Sequence, residues 1–389
     1  IRRPPRSTQG VSSAASDVYK RQQYYITIIQ IVRMKGIILH GGHGTRLRPL
    51  THTGPKQLLP IANKPMSQYA LEDFREAGIT DIGIIIGDVY PEKVKEYYGN
   101  GENFGVKISY IYQDKPKGIS HAIKLCEEFV GNDRFVVYLG DNILRKGLVD
   151  YKNNFESSSN DAMILLCKVD DPSRFGIAEI DSESKKIKKI IEKPSEPKSD
   201  LAVIGVYFLT PKIFSIIDKL KPSARGELEI TEALQLLMEE NNSLQYETVT
   251  GWWKDTGTPE DILHANQLVL DSIGKENQFV IDKGSTVKDN TVIGKETEIS
   301  SNSSIQGPSI IGANCRIGPN VTLGPNVSVG DNSILENCKI ENSIIMANCE
   351  ISADVHLSNS IIANGSKIEA NNDQTKHELL LGERSQLKI

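Results

Sequence analysis

Residues 35–65 read KGIILHGGHGTRLRPLTHTGPKQLLPIANKP. The opening Lys35-Gly36-Ile37-Ile38-Leu39 is short, apolar and β-branched, the pattern of a buried strand. It delivers the chain into Gly41-Gly42-His43-Gly44-Thr45-Arg46-Leu47. Glycines at 41, 42 and 44 permit positive φ and close backbone approach, and successive free N–H groups in such a loop form an anion nest. Arg46 and Lys56 add cationic donors, the guanidinium as a planar fork suited to phosphate. The chemistry implied is the handling of a polyphosphate. The spacing is neither G-x-x-x-x-G-K-[ST] nor G-x-G-x-x-G, because Leu47 holds the last glycine position.

A length of 389 residues predicts two or three domains with ample core. The net charge of −5, without a basic block, argues against a nucleic-acid partner, and the apolar runs are too short for a membrane span. Five cysteines without C-x-x-C spacing predict reduced thiols in a cytoplasmic protein. Residues 1–33 are basic, Ser-rich and aperiodic, and Met34 stands directly before the first strand. They are expected to be a leader or cloning scar rather than a signal peptide, since the apolar run Ile26–Val32 is short and no small-residue cleavage site follows it.

Strand and helix patterns alternate from Lys35 to Asn142: a helix over Ser67–Ala77, a strand at Ile82–Ile86, a helix from Pro91 to Tyr98, a strand at Val106–Tyr112, a helix over Ile119–Val130 and a strand at Phe135–Leu139. This alternation predicts an α/β, Rossmann-like, mostly parallel sheet, with ligands at the carboxyl ends of its strands. Further strands are expected at Ala162–Val169, Ile187–Ile191 and Val203–Leu209, with helices at Pro211–Leu220, Ile230–Glu239 and from Pro259 to about Ser272. The period then changes. Ile281, Val287, Ile293, Ile299, Ile305, Ile311, Ile317, Leu323, Val329 and Leu335 stand six apart, the hexapeptide repeat of a parallel β-helix. The frame shifts near Ile340 and resumes at Ile345, which predicts a small insertion. The expected domains are 34–272, a β-helix over 273–370 and a fraying polar tail over 371–389. The flat β-helix faces suit symmetric subunit contacts, so a homo-oligomer is expected.

Asp141, just past a strand in Tyr138-Leu139-Gly140-Asp141-Asn142, and Asp255, in Trp252-Trp253-Lys254-Asp255-Thr256-Gly257-Thr258, are candidates to share one Mg²⁺ with a triphosphate; an Asp beside Gly also serves as a cap or turn residue. Gln113 offers both a donor and an acceptor, which suits a pyrimidine edge.

G-G-x-G-T-R-L followed by Pro55-Lys56-Gln57-Leu58-Leu59-Pro60 and Asn63-Lys64-Pro65 resembles the sugar-1-phosphate nucleotidylyltransferases, and the P-K-Q-L-L-P form is similar to the glucose-1-phosphate thymidylyltransferases. The β-helix resembles that of their long form, a left-handed one. The resemblance implies that Gly41, Gly42, Gly44, Thr45, Arg46, Lys56 and Gln57 hold the nucleoside triphosphate, and that Gln113, Pro116 and Gly118 seat its base. It implies Mg²⁺ on Asp141 and Asp255. Asn142, Gly176 of Arg174-Phe175-Gly176, Glu192 and Lys193 of Glu192-Lys193-Pro194, Val203, Gly205 and Arg225 then bind the sugar 1-phosphate. The activity implied is dTDP-glucose formation from dTTP and glucose 1-phosphate, with Arg46, Lys56, Asp141, Lys193 and Asp255 carrying catalysis. UTP or another sugar phosphate is the alternative within the class, and a non-catalytic nucleotide-sugar sensor the alternative outside it. His40 and His43 depart from the small residues usual in this loop. A lone His356 gives the β-helix no acyltransferase chemistry of its own.

Overall fold

The computed structural model describes residues 34–273, 280–281, 284–288, 290–370 and 375–389; the leader expected over residues 1–33 lies outside them. The strands of the first module are β1 (Met34–His40), β2 (Pro60–Ile61), β3 (Lys64–Pro65), β4 (Asp81–Ile86), β5 (Lys107–Tyr112), β6 (Arg134–Leu139), β7 (Asn142–Leu144), β8 (Ala162–Lys168), β9 (Gly176–Ile180), β10 (Ile187–Glu192), β11 (Leu201–Leu209), β12 (Leu244–Thr248) and β13 (Trp253–Asp255). Nine of them form one sheet ordered β10-β9-β11-β6-β1-β4-β5, with β8 on β11 and β12 on β8. The half β6-β1-β4-β5 is parallel, while β11 runs antiparallel to β6, β8 and β9. Alternation along the strands divides the core between the two faces. Ile38, Val136, Tyr138, Met163 and Phe208 lie on one face, and Ile37, Phe135, Val137, Ile164 and Leu209 on the other.

The helices fall where the periodicity places them, at Met66–Glu76, Pro91–Tyr98, Lys212–Ile217, Ile230–Glu239 and Pro259–Leu270, among others. The single helix expected over Ile119–Val130 is instead two, Ile119–Lys124 and Glu127–Val130. The turn between them tightens to a Cys126 N–H to Ile123 O bond of 2.9 Å, which tucks Cys126 into the core. Neither β9 nor β12 is foreshadowed by the sequence pattern.

The second module is a left-handed parallel β-helix. The six-residue repeat points inward: Ile299, Ile305, Ile311, Ile317, Leu323, Val329 and Leu335 are buried in one continuous cluster. Asparagines with positive φ turn the corners and donate along the axis, Asn302 to Asn320 at 2.7 Å and Asn320 to Asn337 at 2.8 Å. The frame shift near Ile340 comes from a shortened coil, not an insertion. Ile311 pairs with Val329 eighteen residues on, whereas Val329 pairs with Ile345 after sixteen, and the register slips between Glu336 and Cys338. The expected fraying tail is also overturned: strands at Lys376–His377, Leu380–Leu381 and Gln386–Lys388 continue the coils. Leu381, Leu387 and Ile389 supply the apolar positions that keep stacking profitable to the end.

One row of outward-facing side chains on the β-helix is mostly apolar: Ile310, Ser328, Ile344, Ile361 and Leu380, in register. It packs on Leu47, Leu50, Leu59, Ile61 and Met66 of the first module and on Ile262, Ala265, Val269 and Leu270 of the helix Pro259–Leu270. The two modules therefore share a core, and residues 34–389 form one compact unit. All five cysteines are free, and no helix among the described residues is long and apolar enough to cross a membrane.

Candidate active site

The carboxyl ends of three strands of the parallel half, β1, β5 and β6, converge. After β1 the chain passes Gly42, with φ 87°, and Gly44, with φ 59°, into a 3-10 turn over Thr45–Leu47. Leu47 is fully buried and anchors that turn. Thr51 Oγ1 donates to Gly44 O at 2.8 Å and ties the loop down. After β5 comes Gln113, whose Nε2 lies 3.0 Å from His121 Nδ1. After β6 comes Asp141. The pairing of β13 with β7 sets Asp255 opposite Asn142, and Thr256 secures the join by donating to Asp141 O from N (3.1 Å) and from Oγ1 (2.7 Å). Two carboxylates 114 positions apart in sequence thus become neighbours through a three-residue ribbon.

Lys56 is hydrogen-bonded to Asp141, with side chains only 15% and 13% exposed. Burial pushes the Asp141 carboxyl up, but the Lys56 ammonium and the Asn142 amide outweigh it and hold the group below the ordinary range. Burial lowers the Lys56 ammonium and Asp141 more than reverses this. Asp255 has no such bond. Burial, then the negative charge of Asp141, push it up to about 6. Arg46 closes this cluster: a Cβ on Gly257 would sit 3.0 Å from Arg46 Nη2 and 3.2 Å from Asp255 Oδ2. Among the described residues no three His, Cys, Asp or Glu side chains form a complete metal cage. Two half-buried carboxylates, one of them already bonded to an ammonium, suit a hard divalent cation that takes its other ligands from phosphate and water.

Two cavities meet at this cluster. The first, of about 240 Å³, is lined by Gly41, Gly42, Lys56, Gln57, Gln113, Pro116, Gly118 and Asp141. Gln57 Nε2 donates to Gly41 O at 2.8 Å and braces the glycine loop. Gly118 admits no side chain, because a Cβ would lie 2.5 Å from Leu228 O. The second cavity, of about 600 Å³, is lined by Arg46, Lys56, Asn142, Gly176, Glu192, Lys193, Val203, Gly205, Arg225 and Asp255. Asn142 Oδ1 accepts from Trp253 Nε1 at 2.7 Å and Gly205 N at 3.3 Å. Arg225 Nη2 donates to Glu192 Oε1 (3.0 Å) and Glu229 Oε2 (2.8 Å), and Thr231 Oγ1 donates to Glu192 Oε2 (3.0 Å). Lys193 is held at φ 41°, a conformation that a side chain rarely adopts, and it leaves the strand end half-exposed.

Every site residue read from the sequence lines one of these cavities except Gly44 and Thr45, which shape the loop behind them. His43 faces outward, 3.5 Å from Asp88, and lines neither cavity. His40 is fully buried and, held at about 3 by burial, stays neutral. Tyr207, Phe175, Trp253 and Thr231 line the second cavity and were not singled out. Tyr207 carried a usable signal, because in β11 it follows Val203 and Gly205 at the two-residue period of one sheet face.

Residues 35–272 match the nucleotidyl transferase family. The chain belongs to that family. Residues 305–388 match the GMPPB C-terminal domain. A low-salt glycan biosynthesis nucleotidyltransferase of Haloferax volcanii is 47% identical over 358 residues, 92% of this chain and 100% of that protein. A glucose-1-phosphate thymidylyltransferase of Streptomyces antibioticus is 43% identical over 68% of this chain and 74% of its own length. A solved UDP-glucose pyrophosphorylase, complexed with UDP-glucose, is 30% identical over 62% of this chain and 100% of its own, with a TM-score of 0.56. This nucleotidyltransferase is of the sugar-1-phosphate type.

Proposed function

We propose that this nucleotidyltransferase joins dTTP and glucose 1-phosphate into dTDP-glucose and releases pyrophosphate. The observation that carries the reading is the meeting of two cavities at Lys56, Asp141 and Asp255, one lined by the glycine loop and Gln113, the other by Glu192, Lys193 and Arg225. The contact of Gln113 Nε2 with His121 leaves Oε1 as an acceptor, which suits the N3–H of thymine or uracil. The thymidylyltransferase relatives support thymine.

In this reading the N–H groups of Gly41 and Gly42, with Arg46 and Lys56, hold the triphosphate. Lys193 and Arg225 hold the sugar phosphate in line with the α-phosphorus and offset the repulsion between two anions. The attacking phosphate oxygen is already anionic, so no general base is needed, in keeping with a neutral, enclosed His40 and an outward His43. Asp141 and Asp255 would hold Mg²⁺, which supplies charge stabilisation for the leaving pyrophosphate. The Haloferax volcanii relative, similar over its full length, favours a second reading in which the product is a different nucleotide sugar for glycan assembly. The test is pyrophosphate release from five nucleoside triphosphates against a panel of sugar 1-phosphates. Preference for dTTP with glucose 1-phosphate supports the proposal, and preference for another sugar phosphate supports the second reading.

A further inference from the structure

The turn joining β2 to β3 is Ala62-Asn63, with φ 47° and 63°. Asparagine tolerates this left-handed region, but alanine is held there against its preference. What holds it spans both modules. Ala62 N donates to Asn266 Oδ1 at 2.9 Å, and the same oxygen accepts from Ser328 Oγ at 2.5 Å. Asn63 Nδ2 donates to Val329 O at 2.6 Å. Asn266 and Ser328 are enclosed, 1% and 0% exposed. Ser328 stands in the β-helix row that docks on the first module, between Ile310 and Ile344, where its neighbours in register are aliphatic. A hydroxyl in that row has one visible use, the bond to Asn266.

Both ends of the hairpin reach the reaction centre. On one side it follows the 3-10 turn Lys56–Leu58, and Ser67 Oγ, just past β3, donates to Gln57 O at 3.0 Å. On the other, Met66 Sδ lies 3.2 Å from Thr256 Oγ1, the hydroxyl that donates to Asp141 O.

We propose that Asn266 and Ser328 are positioning residues: through them the β-helix clamps the strained Ala62-Asn63 turn, and with it sets Lys56 and Gln57 for the nucleoside triphosphate. This rests on the reading above that Lys56 and Gln57 meet the nucleotide. The β-helix then contributes to catalysis from outside the cavities without touching substrate.

The experiment uses the full chain. The parent's own preference among dTTP, UTP, CTP, ATP and GTP decides the substrate reading separately, and the variants are compared on whichever nucleotide it turns over. Asn266→Leu, which removes the acceptor at similar volume, is expected to raise the nucleotide Kd about five- to twentyfold, because the Ala62 N–H is left buried without a partner. The KM for the sugar 1-phosphate should stay within about twofold. Ser328→Ala should raise the nucleotide Kd roughly threefold, and Ser328→Thr, which keeps the hydroxyl, should return it to the parent value. Nucleotide Kd values equal to the parent's in both disrupting variants would overturn the proposal. So would an equal loss of affinity for both substrates, or a weakening in Ser328→Thr as large as in Ser328→Ala. If Asn266→Leu fails to fold, the two Ser328 variants decide alone.

Discussion

Asp255→Asn should yield a protein that turns over far more slowly and, without metal, is more stable than its parent. Burial and the neighbouring Asp141 raise the Asp255 carboxyl from 3.8 to about 6. The sign follows from which form binds the proton. The folded state holds it more tightly than the unfolded chain, so this favourable contribution is complete below pH 3.8 and is lost as pH rises through 6. By pH 7.5 the ionised group costs about 3 kcal/mol, at roughly 1.36 kcal/mol per pH unit of separation. The folded unit Met34–Ile389 has roughly 350 residues, and an unfolding entropy of about 2.1 cal/mol/K for each converts this to ~4 °C in Tm. Asparagine carries no such charge. Calorimetry in EDTA at pH 4 to 8 should therefore find the two proteins alike at the acid end. A gap should open from about pH 4, be roughly half its full size near pH 5 and level off above about pH 6.5, with the variant on top. Saturating Mg²⁺ should stabilise the parent alone and close or reverse the gap, because the ion binds only the intact carboxylate pair. Turnover of the variant should fall roughly 10²-fold or more, the scale of losing one electrostatic stabiliser. A gap that does not vary with pH, or a variant less stable than its parent at pH 7.5 in EDTA, would refute the reasoning.

Lys56→Met should move stability the other way: it strips the ammonium from the buried Asp141, for a loss of about 3–5 kcal/mol in EDTA. Thermal scans should show Mg²⁺ restoring much of that loss while equilibrium titration shows nucleotide affinity still reduced; full recovery of both would clear Lys56 of contact with the nucleotide. Gln113→Ala should weaken dTTP and UTP together by about 1–3 kcal/mol, with little change in the sugar phosphate KM, and unaltered dTTP titrations would remove Gln113 from base recognition. Lys193→Met should raise the KM for glucose 1-phosphate and slow turnover with dTTP binding nearly intact, whereas a fall in dTTP binding would assign Lys193 to the triphosphate.

Much of this site is local in sequence, and that part was legible. Gly41–Arg46, Asp141 and Glu192-Lys193 each follow a strand with a plain alternation or apolar signature, so their place at a sheet edge could be read before any contact was known. The inward rows of the β-helix were legible because each coil repeats the same six-residue demand. Its outward rows were not. Ile344 and Ile361 lie outside the inward six-residue rows, yet they share one cluster with Ile262 and Val269, and no local pattern marks them for that docking. The shortened coil was misread as an insertion because a lost residue and a gained one both break the period, and only the pairing of Val329 with Ile345 distinguishes them. The ribbon of β7 with β13 is too short, at three residues a strand, to leave any periodic signature. Nothing local to Asp255 announces its partner.

That ribbon also explains why the cluster is electrostatically unsettled. Strand pairing and Thr256 fix the backbones of Asp141 and Asp255, so the two carboxylates cannot separate to relieve their repulsion. Lys56 neutralises only one of them, and Arg46 stands within reach of the other without an ion pair to it. A site built for stability would have supplied a second bonded cation or an amide. In the proposed reading the missing positive charge would come with the substrate complex, so that binding would offset a cost already present in the fold and the charge would fall where the leaving group needs it. The same logic extends to Ala62 and Lys193, both held in the left-handed region. Each is a local conflict that packing elsewhere overrides, Ala62 through Asn266 and Ser328.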